Sequence, residues 1–314
     1  MTMRLLFLAL VALFLVASDR DASADETADM KAVLVTGASS GIGLKITEVL
    51  SSNGFYVYAG ARKAADLERL DAMDNVSSVR LDVTVDEDIA GAVDFVESQA
   101  RGLWGVVNNA GVARYGSLQT GAESDIRFTF DINVFGPFRI NQAFLPMLLE
   151  SGGRTSIIGS INGFIPNAAD GGYAASKFAV EGYTDSLALE LADSGVHVAI
   201  VEPGSYKSRI REKYVANALA EESSAVDEET RKSLQEFVVS NETMKEPTEV
   251  AEAVLHLMSS DNPRVRYMVT PNEEQAAITI RIALQRVLQL NEDQPYRYDR
   301  DELVALLDEL LQAE

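Results

Sequence analysis

Val33-Leu-Val-Thr-Gly-Ala-Ser-Ser-Gly-Ile-Gly43 is a β-branched run that breaks into three closely spaced glycines. Leu44, Ile46, Val49 and Leu50 follow at helical spacing, so the segment reads as strand, tight turn and helix. Glycine at Gly37, Gly41 and Gly43 lets the main chain turn sharply and lets a ligand approach it closely. The first N–H groups of the new helix have no intrahelical partners, and its dipole adds partial positive charge. A pyrophosphate suits such a terminus. The spacing is Gly-x-x-x-Gly-x-Gly rather than the general dinucleotide fingerprint, so at this point a purely structural turn stands beside the phosphate-binding reading. No Gly-Lys-Ser/Thr follows, which excludes an ATP phosphate loop.

Outward from the loop, strand and helix alternate. Phe55 to Ala59 reads as a second strand, Val76 to Val83 as a third, and Leu103 to Asn108 as a fourth. Asp86 to Ala100 lies between the last two and carries Ile89, Val93 and Val96 on one helical face. Glu123 to Glu150 reads as a long helical region containing Asn133, with Pro146 near its end. Arg154 to Ser160, His197 to Val201 and Arg266 to Val269 supply three further strands, with helices from near Tyr173 and over Pro247 to Ser259. This pattern predicts an α/β fold: a doubly wound, Rossmann-type, mainly parallel sheet of about seven strands with helices on both faces. The catalytic core spans 30–272. Within it, 205–246 is too long for an ordinary loop and is either a helical lid or a binding loop. Two amphipathic helices at 275–290 and 300–312 form a C-terminal extension, 273–314.

In such sheets ligands bind beyond the carboxyl ends of the strands. Gly37, Arg62, Asp82 and Asn109 all fall at strand ends. After the second strand an NAD site places a carboxylate on the ribose 2′-hydroxyl; this chain has Ala61 and Arg62 there instead. An arginine pairs with a 2′-phosphate, which favours NADP(H) over NAD(H). Tyr173-Ala-Ala-Ser-Lys177 sets tyrosine and lysine on one helical face. A nearby ammonium favours the phenolate and lowers a tyrosine pKa. Ser160, at the end of the fifth strand, is placed to hydrogen-bond a reacting carbonyl or alkoxide. Together the three form a proton-transfer site, and beside a nicotinamide the sum is hydride transfer coupled to protonation of an oxygen.

Composition narrows the alternatives. With no cysteine and only His197 and His256, thiol nucleophiles, disulfides, cysteine–zinc sites and histidine triads have nothing to work with, and no metal site is expected. His197 lies in Val196-His-Val-Ala-Ile-Val201 and reads as a core histidine. A net charge of −21 repels nucleic acid and anionic membranes. At the N-terminus, Arg4 precedes thirteen apolar residues, Leu5 to Ala17, and Ala22-Ser-Ala24 gives a small-x-small cleavage pattern. Residues 1–24 therefore read as a secretory signal peptide and 25–29 as an acidic linker. The apolar run is too short to span a bilayer comfortably, so no stable membrane span is expected. Export, periplasmic or secretory, follows if the signal is used. An uncleaved anchor, or a cytoplasmic start at Met30, are the alternatives.

As a set, Thr36-Gly-Ala-Ser-Ser-Gly-Ile-Gly43, Leu81-Asp-Val83, Asn108-Asn-Ala-Gly111, Asn133, Ser160, Tyr173-Ala-Ala-Ser-Lys177 and Pro203-Gly204 resemble the short-chain dehydrogenase/reductase family over roughly residues 31–270. The resemblance implies roles. Tyr173 is the general acid/base, Ser160 holds the substrate oxygen, and Lys177 binds the nicotinamide ribose and lowers the tyrosine pKa. Asn133 holds a water in a proton relay from Lys177. Gly37, Ser39, Ser40, Ile42 and Gly43 form the phosphate loop. Asp82 and Val83 meet the adenine, Asn109, Ala110 and Gly111 the neighbouring ribose, and Pro203 and Gly204 flank the nicotinamide. Arg62 matches the arginine of NADP-preferring members, though Ser40 stands where such members often carry a second basic residue.

Phe178-Ala-Val-Glu-Gly182 and Val201-Glu-Pro-Gly-Ser-Tyr206 are most similar to the branch of 17β-hydroxysteroid and retinol dehydrogenases, which handles apolar alcohols and ketones. Phe164, Ile165 and Tyr206 suggest an apolar pocket, and the family pattern suggests a homodimer or homotetramer through the 123–150 and 173–192 helices. A non-catalytic NAD(P)-binding sensor or scaffold is the alternative on the same fold; the intact serine, tyrosine and lysine argue against it. A serine hydrolase at Ser160 fails because Ile158, not glycine, stands two residues before it.

Overall fold

The computed structural model describes residues 29–312 apart from Tyr115, Asn167, Ala169 and 221–227. The signal-peptide reading of 1–24 and nearly all of the acidic linker lie outside the described residues. The strands are β1 (Lys31–Val35), β2 (Phe55–Ala61), β3 (Val76–Arg80), β4 (Gly105–Asn108), β5 (Arg154–Ile158), β6 (His197–Pro203) and β7 (Arg266–Val269). The helices are α1 (Gly41–Ser52), α2 (Ala64–Asp71), α3 (Asp86–Ser98), α4 (Glu123–Phe130), α5 (Gly136–Ser151), α6 (Gly171–Glu190), α7 (Arg209–Ala220), α8 (Glu228–Glu242), α9 (Thr248–Ser259), α10 (Glu273–Asn291) and α11 (Arg300–Gln312).

β1 lies inside the sheet because Ala32 to Val35 are apolar on both faces and bury completely or nearly so. It pairs in parallel with β2, Val35 opposite Ala59, and with β4, Val35 opposite Val107. All seven strands are parallel in the order β3-β2-β1-β4-β5-β6-β7, so the sheet is the doubly wound one predicted. The period of two divides the core. Val33, Val35, Val57 and Ala59 pack with Ile46 and Leu50 of α1 and with Val250, Val254 and Leu257 of α9. Leu34, Tyr58 and Val106 pack on the other face with Ile89 and Val96 of α3 and with Ile140, Phe144 and Leu148 of α5. Each such aliphatic side chain contributes roughly 1.5–3 kcal/mol by leaving water. Strand order reverses between β1 and β4, which opens a crevice at the carboxyl edge.

The long helical region read over Glu123 to Glu150 is present but not uniform: α4 passes through a π turn at Asp131–Phe135 into α5. The reason is Pro137, which has no N–H to give the carbonyl of Asn133 four residues earlier. His197 is not a core residue: it opens β6 half-buried, with Nε2 3.2 Å from the Arg264 carbonyl oxygen. Strands β3 and β5 stop before Leu81 and Gly159, leaving Asp82 and Ser160 on the loops beyond. Among the described residues no helix is long and apolar enough to cross a membrane.

The residues from Asn272 onward form a separate unit. Asn272 caps α10 by accepting the Gln275 N–H at 3.0 Å. Asp299 caps α11 in a reciprocal box, accepting the Glu302 N–H at 2.9 Å while its own N–H reaches Glu302 Oε2 at 2.7 Å. Asn291 joins the two helices through paired 2.8 Å bonds to the main chain of Tyr298.

Candidate active site

The glycine loop is built on positive backbone angles, φ +67° at Gly37 and φ +58° at Gly41, which a side chain would strain. Gly43 is needed for another reason. A Cβ there would overlap Asn109 Nδ2 and the Gly37 carbonyl oxygen. Asn109 Nδ2 donates to the carbonyls of Thr36, at 2.9 Å, and Gly37, at 3.2 Å. Thr36 Oγ1 in turn accepts the N–H groups of Asn109 and Ala110, each at 3.0 Å. The ends of β1 and β4 are thereby stitched together, and the Asn109 side chain is spent on the loop. Thr36 belongs to this cradle; the sequence offered it only as a member of the glycine motif.

At the adjoining strand ends, Arg62 Nη1 lies 3.2 Å from Asp82 Oδ2. Burial pushes the Asp82 carboxyl up, but hydrogen bonds from Thr84 and the Arg62 guanidinium outweigh it and hold the group below the ordinary carboxylate range. The Arg62 side chain is 58% exposed, so its guanidinium can also reach a ligand. Toward the other end stand Ser160, Tyr173 and Lys177. Ser160 hydrogen-bonds the Tyr173 hydroxyl. Lys177 Nζ donates to the Ile158 carbonyl at 2.8 Å and sits 5.6 Å from the Tyr173 ring centroid.

The predicted lowering of the tyrosine by Lys177 is not what this geometry gives. Burial pushes Tyr173 up to about 12; the Ser160 bond pulls it down and the Asp170 charge pushes it up again. Burial also brings the Lys177 ammonium down to about 8, against an opposing pull from Glu181. The group is held protonated as a phenol, the form that donates a proton.

The Asn133 side chain is fully engaged by the protein. Its side chain donates to the Val112 carbonyl at 2.9 Å and to Ser176 Oγ at 3.0 Å, and accepts the Val112 N–H at 2.9 Å. Pro137 has no N–H to give the Asn133 main-chain carbonyl, which therefore lacks the ordinary α-helical donor.

One cavity of about 1120 Å³ runs from the glycine loop to this group. Of the predicted site residues, Gly37, Ser39, Ser40, Ile42, Arg62, Asp82, Val83, the Asn109–Gly111 run, Ser160, Tyr173, Lys177, Pro203 and Gly204 line it; Gly43 and Asn133 sit behind the wall. Phe164 and Ile165 do not line it, because the 3₁₀ turn at Ile161–Gly163 turns the chain away and puts Ile161 and Asn162 there instead. Tyr206 does line it, with its hydroxyl 2.5 Å from Glu249 Oε2. The described part of 205–246 is largely helical: α7 and α8 bring Ile210, Tyr214 and Leu234 to the cavity wall, where Tyr214 and Leu234 pack in one small core and Tyr173 rests against it.

Sequence reasoning missed Asp170. It precedes α6 at the N-cap position without capping it, lines the cavity, and keeps a buried Oδ1 with no hydrogen-bond partner. Burial pushes it up to about 6. Its spacing three residues before Tyr173 was the available signal.

The model of the short chain dehydrogenase family matches residues 31–219, the span that holds this cradle and this triad. The chain belongs to that family. An uncharacterized oxidoreductase of Escherichia coli, YbbO, is 35% identical over 242 residues, 76% of this chain and 86% of that one. Mitochondrial D-beta-hydroxybutyrate dehydrogenase of Bos taurus is 33% identical over 76% of each chain. Retinol dehydrogenase 7 of Rattus norvegicus is 32% identical over 76% of this chain and 80% of its own. A short-chain dehydrogenase of Streptomyces avermitilis superposes with a TM-score of 0.70 at 27% identity, over 84% of this chain and 95% of that one. This short-chain dehydrogenase is thus an oxidoreductase acting on CH–OH groups, with relatives in the retinol dehydrogenase branch.

Proposed function

We propose that the protein is an NADP(H)-dependent oxidoreductase interconverting an apolar secondary alcohol and its ketone, or an alcohol and aldehyde. The observation that carries this is the Ser160–Tyr173–Lys177 group, with Ser160 and Lys177 buried and Tyr173 partly so, at one end of a cavity whose other end is the glycine cradle with Arg62 beside it. The residues suit a dinucleotide. Open main chain at Gly37 accepts a pyrophosphate, and Arg62 suits a 2′-phosphate where an NAD site would carry an acid.

A bound nicotinamide supplies or accepts the hydride. Ser160 holds the substrate oxygen. Tyr173, kept as a phenol by burial, gives that oxygen its proton in the reductive direction. Lys177, anchored on the Ile158 carbonyl, orients the ribose and replaces the proton through a water on the Asn133 main-chain carbonyl. Val112, Ala113, Phe128 and Tyr214 give the substrate end an apolar lining. Phe135, Phe138 and Leu189, exposed on the π turn, α5 and α6, support assembly into a homodimer or homotetramer, which light scattering checks. The N-terminal reading adds export, checked by the mass of the mature protein.

The test is nicotinamide fluorescence titration of the full chain with NADPH and NADH, alongside Arg62→Ala. Tight NADPH binding that the variant loses, with NADH little changed, is the expected result. Turnover of an apolar ketone panel then falls on the order of 10²–10⁴-fold in Tyr173→Phe with NADPH affinity retained. Failure of the wild type to bind either dinucleotide refutes the reading.

A further inference from the structure

We propose that Lys213 of the lid is a second cofactor-specificity residue, meeting the 2′-phosphate of NADP together with Arg62. The inference rests on the NADP reading above and adds to it a group that belongs to the lid.

The glycine loop itself offers no cation: Ser39 and Ser40 stand where it meets the cavity. The lid comes down directly onto that loop. A Cβ built on Gly41 would lie 3.3 Å from Ser208 Oγ and 3.7 Å from the Arg209 nitrogen. The root of the lid is pinned there, since the Ser208 N–H donates to Asn241 Oδ1 at 3.1 Å and the Lys207 N–H to the Lys245 carbonyl at 2.9 Å. Arg209 and Lys213 are four residues apart on α7, hence on one face, and both line the cavity with Arg62.

The charges there are not balanced. Arg62 has Asp82, and Arg209 has Glu212 at 3.7 Å. Lys213 has no ion pair among the described residues, although the protein carries 48 acidic side chains against 27 basic ones. Burial first, then the neighbouring charges of Arg209, Arg62 and Lys63, press its ammonium below the ordinary lysine range, with only Asp66 opposing them. Cations gathered in this way are stabilised by an anion arriving among them. NADP and NAD differ by one phosphate, on the ribose that Arg62 adjoins in this fold. A phosphate between Arg62 on the sheet edge and Lys213 on the lid would satisfy both and hold the lid down.

Calorimetric titration of the full-length protein with NADPH, NADH and 2′,5′-ADP tests this in the wild type, Lys213→Gln, Lys213→Arg and Arg62→Ala. The expected result is that Lys213→Gln weakens NADPH and 2′,5′-ADP by about tenfold, the loss of one charge-assisted bond. NADH is little changed, and Lys213→Arg keeps most of the affinity. Equal weakening of NADPH and NADH by Lys213→Gln would put the lysine on the pyrophosphate and overturn the assignment. So would unchanged NADPH binding in Lys213→Gln while Arg62→Ala loses it, an outcome that leaves the NADP reading standing. A wild type that prefers NADH overturns both.

Discussion

Glu202 sits at the end of β6, one residue before Pro203-Gly204, and shares a buried site with Glu181, one helical turn beyond Lys177. Arg266 of β7 serves both and Asp185 as well, at 3.4 Å, 3.1 Å and 2.9 Å respectively. One guanidinium among three carboxylates leaves the cluster short of positive charge, and Oε1 of Glu181 and Oε1 of Glu202 are both buried without a hydrogen-bond donor. A proton held between the two carboxyls supplies what is missing. Burial, and then the charge of Glu181, push Glu202 up to about 8, with Arg266 opposing. A carboxyl raised on folding makes the native state bind the extra proton, so stability is present at low pH and is lost as pH rises from the unfolded glutamate value, about 4.3, toward the folded one. The interval from about pH 6.5 to about pH 7.5 lies inside this window; the His197 imidazole, pressed down by burial, works in the opposite direction at its lower end, so the wild type is compared with the Glu202 variant. The interval lies above Asp170, at about 6, and below Lys177, at about 8, whose depressed value adds no slope beneath it. One extra proton over that interval costs about 1.4 kcal/mol, a fall in Tm of about 3–5 °C. Glu202→Gln keeps the shape, offers an N–H to Glu181 and cannot titrate, so its Tm is flat there and exceeds that of the wild type at the upper end. Differential scanning fluorimetry of both proteins decides. A flat wild-type profile, or a slope that persists in Glu202→Gln, refutes the shared proton.

Three further outcomes follow from packing. Gly43→Ala forces a methyl into Asn109 Nδ2 and the Gly37 carbonyl, costing about 1–3 kcal/mol, and unstitches β1 from β4; Tm falls and dinucleotide affinity falls with it in a titration. Asp170→Asn removes a carboxylate whose buried oxygen has no donor. Because that group too is raised on folding, the variant's gain in Tm over the wild type is larger at about pH 7 than at about pH 5, measured by thermal melts. Leu234→Ala opens a cavity in the lid core beside Tyr214 and Val215, costing about 2–4 kcal/mol locally. Limited proteolysis then cuts the lid faster while the sheet stays intact.

The sheet was legible because its strands are buried on both faces and so appear as nearly continuous apolar runs, Val33 to Val35 and Val198 to Val201 among them. The site was legible in chain order because a glycine turn, a strand-end serine and a tyrosine–lysine helix face each depend on local spacing. What local spacing does not encode is what a polar group will meet after folding. Asn109 is expected to meet a ribose and Asn133 to hold a water, and their side chains are taken up largely by main-chain groups some 73 and 21 residues distant in sequence, with Ser176 Oγ a further partner of Asn133. The environment of Tyr173 depends on burial by the lid, which comes from the least patterned stretch of the chain. Pro137 stands four residues after Asn133 in the sequence, and its missing N–H is what interrupts the long helix with a π turn. The wall of the substrate end was misassigned at Phe164 and Ile165 because apolar character alone cannot say which way a short 3₁₀ turn sends the chain.

Net charge and local charge select at different distances. At −21 the surface as a whole disfavours any phosphorylated ligand, and beyond about 8 Å that disfavour is screened by physiological salt. Inside the cavity the balance reverses. Arg62, Arg209 and Lys213 line one end of it, with Asp82 the acidic side chain at the adjoining strand end. At the other end Lys177 is anchored to a carbonyl, and the carboxylates behind it, Glu181 and Glu202, are held by Arg266 in the wall. Few of the acidic residues that dominate the composition line this crevice: among the described residues they are Asp82, Asp170 and Glu229. An account of its partners drawn from net charge alone would exclude a dinucleotide along with the polyanions. The distinction is one of size: a nucleic acid or membrane samples the whole surface, whereas a dinucleotide samples only the walls that close around it.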